Sequence, residues 1–343
     1  MITRTAIACA CLLILGSGAT FAGEPAALQQ AGKVDLPGYT GDFDHFGVDI
    51  AGKRLFLAAE DHGTLEVFDL TSGKHLKTVA GVEQPHGILY LEDKSRLVVT
   101  DSGDGYTKIF DARSYKMIGS IKLVKGADSM IYDPAGKSMY IVTGGKNGGL
   151  PTSELVRVDP RSGKTLASRP FDTDKVEAMA VEQKGKYLYV NVTGKNEVAV
   201  LDKNTLDVVK TWPVSGGQVN AAMAFDEANA RLFIVTRQPY VMQVLDTSSG
   251  KTVASFPAPG RTNEAIYDAR NHRIYLAGDN FINVVQQKGA DDYVALDPVP
   301  TAKGAKTAIF VPQLNRLYAA VSTGEDKDAM ATVLRFDVPA AKP

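Results

Sequence analysis

The chain has 343 residues and carries 38 basic against 39 acidic side chains, a formal net charge of −1. Phosphate contacts dominate nucleic-acid binding, so this balance disfavours a general nucleic-acid partner. The two cysteines, Cys9 and Cys11, both sit near the start, which excludes a disulfide framework, thiolate metal ligands, a cysteine nucleophile and a Cys-x-x-Cys-His haem attachment from everything that follows.

Residues 1–4 form a short positive stretch, and residues 5–15 an apolar run too short to span a bilayer as a helix. Thr20-Phe21-Ala22 then reads as a cleavage site before Gly23. The pattern predicts a secretory signal peptide over residues 1–22 and a periplasmic or secreted protein. Residues 23–31, polar and Ala-rich, are expected to be a flexible lead-in. No later stretch is apolar for long enough to cross a membrane.

From residue 32 to the end the chain repeats seven times with a period of roughly 43 residues. Each unit holds an apolar strand, an acidic turn, a basic residue, a second apolar strand, and a third strand closing on Asp. The basic position recurs as Arg54, Arg96, Lys137, Lys186, Arg231, Arg273 and Arg316. The closing Asp recurs as Asp69, Asp111, Asp159, Asp202, Asp246 and Asp337, with Gln286 in the sixth unit. Such a period predicts an all-β fold: a single seven-bladed β-propeller of four-stranded blades over residues 32–343.

The units begin near Asp44, His86, Asp128, Glu177, Asn220, Asn263 and Lys306. Their second strands, such as Leu97-Val98-Val99-Thr100 and Leu232-Phe233-Ile234-Val235, are almost continuously apolar. That fits strands buried on both faces between neighbouring blades. The third unit carries an insertion rich in glycine, residues 144–151, which reads as a hairpin loop. The sixth is interrupted at residues 286–292. The seventh ends without a fourth strand, while Lys33-Val34-Asp35-Leu36 has the character of one. The N-terminal strand is therefore expected to close the ring, which removes exposed edges.

Asp42-Phe43-Asp44-His45-Phe46-Gly47-Val48-Asp49, Gln84-Pro85-His86-Gly87, Tyr267-Asp268 with Arg273-Ile274-Tyr275, and Phe310-Val311-Pro312-Gln313-Leu314-Asn315-Arg316-Leu317-Tyr318 resemble the YncE-like, YVTN-repeat family of exported bacterial β-propellers. The resemblance covers essentially the whole chain after residue 22. The signature itself is approximate, as Tyr140-Ile141-Val142-Thr143-Gly144 and Tyr189-Val190-Asn191. It implies the propeller fold but no common reaction, so function has to be argued from the site.

Five positions before each acidic turn stand Asp44, His86, Asp128, Glu177, Ala221, Asn263 and Lys306, with His45, Asn220 and Glu264 beside them. These positions ring one mouth of the channel. Oxygen-rich clusters with one or two imidazoles suit a divalent cation, for which Asp44, His86, Asp128 and Glu177 are the candidate ligands. The other reading is that these polar residues only face channel water. An outer rim on the same face offers His62, Asp101, Arg237, Tyr240 and Asp279. Arg237 could take a carboxylate or phosphate bidentately, or pair with a nearby acid. Asp101-Ser102-Gly103-Asp104-Gly105 is a faint calcium-loop pattern without the final acidic ligand. Asn191-Val192-Thr193 is a glycosylation sequon. Trp212, the sole tryptophan, fits core packing.

No Gly-x-Ser-x-Gly, His-Glu-x-x-His or Walker loop occurs. The expectation is therefore a binding or scaffold protein using the polar face of its channel, with no reaction. Its partner would be a small molecule, a metal or an exported protein, and the chain itself a monomer. The alternative is a metal-dependent hydrolase or lactonase with its site at the channel mouth.

Overall fold

The computed structural model describes residues 26–326 and 328–340. The expected signal peptide lies outside the described residues. The rest is a ring of seven antiparallel sheets, each a blade built from strands in chain order. Blade 1 runs Phe46–Asp49, Arg54–Ala59, Thr64–Asp69 and His75–Val79 from the channel outward. The first strands of neighbouring blades touch all the way round, from Phe46–Asp49 to Thr307–Val311. No helix is long and apolar enough to cross a membrane among the described residues.

Closure is made by Gln29–Leu36, which pairs antiparallel with the third strand of blade 7, Ala331–Asp337. The lead-in is shorter than expected. The strand starts at Gln29, and Ala27 and Leu28 are already buried against blades 6 and 7. Both are apolar and join the buried cluster that also holds Val299 and Ala305. The interruption of blade 6 also has a structural outcome: its outer position is split between Tyr293–Ala295 and Val299–Pro300, both paired with Phe281–Gln287.

The core is divided among the gaps between blades. Seven clusters of buried apolar side chains each draw on two adjacent blades. The second strands explain this. Leu55 and Leu57 face the blade 7 side and Phe56 and Ala58 the blade 2 side, so both faces must be apolar. Burying each Leu or Phe contributes about 1.5–3 kcal/mol. Trp212 packs in the cluster between blades 4 and 5, its ring stacked 5.9 Å from that of Tyr189.

Strand register corrects the repeat in two blades. Arg54, Arg96, Arg231 and Arg316 each pair across from the closing Asp, and Arg273 across from Gln286. The same place is held by Ser138 and Tyr187, not by Lys137 and Lys186. Lys137 occupies the preceding turn with φ of 48°, like Lys53 at 52°. The arginines fasten blades together: Arg54 binds Asp49 through Nε at 3.0 Å and donates across to Ala112 O and Tyr115 Oη of blade 2. The closing Asp residues clamp the outer turn, as Asp69 does by accepting from the amides of Thr71 and Ser72. The glycine-rich insertion of blade 3 contains one helical turn, Gly145–Gly148, that the hairpin expectation lacked.

Candidate functional site

In blades 1, 3 and 4 a short extended segment ahead of the first strand keeps the antiparallel ladder going toward the channel mouth. Asp44 N donates to Ala58 O, Asp128 N to Val142 O and Glu177 N to Asn191 O, each near 3 Å. This fixes the backbone from which the mouth side chains project. They line a cavity of ≈ 230 Å³ that includes Asp44, His45, His86, Asp128, Glu177, Asn263 and Lys306.

At its centre, His86 Nδ1 lies 2.6 Å from Asp44 Oδ2 and 3.5 Å from Asp128 Oδ1. Its Nε2 is 3.0 Å from Ser102 Oγ. Asp44, His86 and Asp128 can each direct one ligand atom to within 4.8 Å of the others. Glu177 is not in that group; its carboxylate pairs with Lys175 at 3.4 Å. Lys306 makes its direct contact with Asp42, its Nζ 3.0 Å away, and acts on Asp44 and Asp128 only through its charge from farther off. The network continues to blade 6: Asn263 Nδ2 donates to Asp44 Oδ1 at 3.2 Å, and His45 Nδ1 is 2.5 Å from Glu264 Oε1.

Charge is balanced by proton position. Burial opposes a charged His86, but the Asp128 and Asp44 carboxylates outweigh it and raise its pKa to about 9. His45 is likewise raised to about 10, burial being overcome by Asp44 and Glu264. Asp44 is buried, yet the two imidazoliums hold its carboxyl well below the usual range. Burial pushes Asp128 and Glu177 upward. Glu60 stands out: burial, only partly offset by His86, lifts its carboxyl to about 7.

Several expected site residues serve the fold. Asn220 is fully buried and donates to Asn191 Oδ1 at 2.8 Å and Glu197 O at 3.0 Å, so it turns away from the mouth, where Ala221 stands instead. Asp101 is buried and accepts from the amides of Glu83, Gln84 and Gly103. With Asp104 paired to Lys108, the calcium-loop pattern is thereby used up. Asp279 binds Arg261 and the Gly304 amide. His62 packs on the ring of Tyr39, centroids 4.4 Å apart, and Tyr240 is exposed. The sequon is closed, because Asn191 is fully buried and donates to Ala221 O and Ala222 O.

Arg237 does line the cavity, and so does Glu60. The second strands carry the signal that places them. The residues six positions after the register-aligned Arg54 position are Glu60, Ser102, Gly144, Thr193, Arg237, Asp279 and Ser322. Hydroxyls and glycine dominate that ring, and Ser322 Oγ accepts from Phe43 N. Charges at Glu60, Arg237 and Asp279 depart from the pattern, and of these Glu60 and Arg237 line the cavity.

No family model matches the chain. It is similar to THO complex subunit 3 of Arabidopsis thaliana, with 23% identity over 263 residues, 75% of this chain and 78% of that protein. Its fold is similar to a chain in a crystal structure of the mitotic checkpoint complex, with a TM-score of 0.74, 14% identity, and 98% of this chain and 99% of that one covered. At such identities the structural likeness speaks for the seven-bladed propeller alone.

Proposed function

We propose that this chain is an exported binding or scaffold propeller of the YncE-like, YVTN-repeat kind, taking a small polar ligand at its channel mouth without transforming it. The observation that carries the reading is the cavity of ≈ 230 Å³ walled by Asp44, His86 and Asp128. Its groups are already paired with one another, which suits recognition by hydrogen bonds better than a poised nucleophile. A protein partner fits the same fold, since both similar proteins are named for complexes. Native mass spectrometry on protein isolated from its own compartment tests this. A small molecule should co-purify with the native chain and be lost in Asp44→Asn. A bare chain whose melting temperature no small polar ligand or divalent ion shifts would remove the reading.

The second reading, a metal-dependent hydrolase or lactonase, is favoured by the convergence of Asp44, His86 and Asp128 within 4.8 Å. These three would hold the cation, and Glu60, with its pKa near 7, is the group suited to take a proton from a water. Stoichiometric metal by elemental analysis, together with turnover of ester or lactone substrates that Glu60→Gln abolishes, would establish it over the first.

A further inference from the structure

Eleven charged or ionisable side chains border the mouth cavity, and almost all of the sheltered ones are already matched. Asp44 and Asp128 meet His86, His45 meets Glu264, Glu177 meets Lys175 and Lys306 meets Asp42. Lys146 and Asp174 are exposed, where water solvates them. Two half-buried charges of opposite sign remain without a partner of opposite charge within 4.0 Å among the described residues: Glu60 and Arg237.

Neither is free by neglect of the fold. Arg237 is aimed by Asn263, whose Oδ1 accepts from Nη2 at 3.0 Å while its Nδ2 donates to Asp44. Its other bonds are long ones to Thr262 O, at 3.3 and 3.4 Å, and its Nη1 makes none among the described residues. The equivalent charge in blade 6, Asp279, is by contrast saturated by Arg261 and the Gly304 amide. Glu60 makes no side-chain hydrogen bond among the described residues. Blades 1 and 5 are three steps apart round the seven-bladed ring through blades 6 and 7, so the two charges enter the one cavity from opposite sides of the ring. The opposite charges that act on them, His86 and Lys306 on Glu60 and Glu177 on Arg237, make no contact within 4.0 Å, so each half-buried charge is only partly compensated.

We propose that the mouth binds a small zwitterion, an aliphatic molecule carrying a carboxylate at one end and an ammonium at the other, with the carboxylate on Arg237 and the ammonium on Glu60. This rests on the reading of the mouth as a ligand site and names the ligand's chemistry. A guanidinium offers two parallel donors to a carboxylate, and an ammonium offers three donors to a lone carboxylate and its neighbours. A neutral ligand would leave both charges unmatched; an anion or a cation alone would leave one.

The test is calorimetry and thermal shift on the full chain with glycine, β-alanine, 4-aminobutyrate and 5-aminovalerate, against propionate and propylamine. The expected result is that one length fits and binds at least about tenfold tighter than either monofunctional probe. Arg237→Gln should erase the advantage over propylamine, and Glu60→Gln the advantage over propionate, with the unliganded variants still unfolding cooperatively. Propionate or propylamine binding as well as the best zwitterion overturns the proposal. So does the absence of binding by all four zwitterions up to about 10 mM. If a divalent ion still binds in that case, the mouth remains a ligand site and only the zwitterion is wrong; if nothing binds, the parent reading falls as well.

Discussion

His86 of blade 2 sits with Nδ1 2.6 Å from the carboxylate of Asp44 in blade 1, and both side chains are buried. The pair therefore does two things at once. It supplies charge at the channel mouth and ties the segment that enters blade 1 to the first strand of blade 2, Pro85–Leu91. Each partner shelters the other from an uncompensated burial.

The pair makes stability depend on pH in a definite direction. His86 has a folded pKa of about 9 against an ordinary 6.5, so its contribution is complete below pH 6.5 and lost as the pH climbs through 9. Asp44 is held below its ordinary 3.8, so its contribution is present above that value and lost in stronger acid. Urea unfolding of the native chain between pH 6 and 10 should lose on the order of 3 kcal/mol more than His86→Gln does over the same range. Parallel pH curves for the two proteins would contradict the ion pair.

A cation at Asp44, His86 and Asp128 would have to displace the proton from His86 Nδ1. Divalent affinity should therefore rise roughly tenfold per pH unit below pH 9, with one proton released per ion. Asp128→Asn should weaken it roughly tenfold or more, while Glu177→Gln, lying outside the group, should leave it unchanged. Isothermal titration in two buffers of different ionisation enthalpy reads both the affinity and the proton. A pH-independent affinity, or equal losses in the two variants, would place the metal elsewhere.

Glu60 gives the opposite pH signature to His86. Its carboxyl, raised from 4.5 to about 7 mainly by burial, is comfortable when neutral and strained when ionised. Its stabilising share is present below pH 4.5 and gone above 7. Glu60→Gln should accordingly leave stability nearly unchanged at pH 5 and raise it by about 1–2 kcal/mol at pH 8, after allowance for its partial exposure. Thermal melts of the two proteins at both pH values decide it; a variant less stable than native at pH 8 would refute the assignment.

The fold was legible because the repeat is a packing rule: each second strand must be apolar on both faces, as Leu55-Phe56-Leu57-Ala58 is, and each closing Asp clamps a turn. The missing fourth strand of blade 7 was legible for the same reason, since an unpaired edge demands a partner. The site was only half legible. Equal spacing brought Asp44, His86 and Asp128 to one point, but it could not tell a side chain that faces the channel from one that turns into the blade. Asn220 sits where a bulge shifts the register between Asn220 and Ala222, which rotates its amide onto Asn191. Asp101 was hidden by the reverse error: its loop position suggested the rim, while its carboxylate satisfies three amides below it.

The buried sequon carries its own consequence. Asn191 supplies donors to Ala221 O and Ala222 O and an acceptor to Asn220, all out of water. Peptide mapping of the chain folded in a glycosylating host should find no glycan there. Asn191→Ala should cost about 2–3 kcal/mol, because the Asn220 amide and two carbonyls lose their partner. A glycan on the folded protein, or a neutral Asn191→Ala, would mean that this blade 4–5 contact is open in solution.

Ring closure predicts a graded response to N-terminal truncation. Removing residues through 26 should change little among contacts described above, whereas removal through 28 deletes Ala27 and Leu28 from the blade 6–7 core and the Ala27 carbonyl from Arg273. The second cut should cost about 2–3 kcal/mol, mostly from Leu28. Removal through 36 takes away the whole outer strand of blade 7 and leaves Ala331–Asp337 as a bare edge over an apolar face. Such an edge should lower the melting temperature sharply and promote association, visible by light scattering. If the longest truncation melted within a few degrees of the full chain and stayed monodisperse, Gln29–Leu36 would not be what holds the propeller shut.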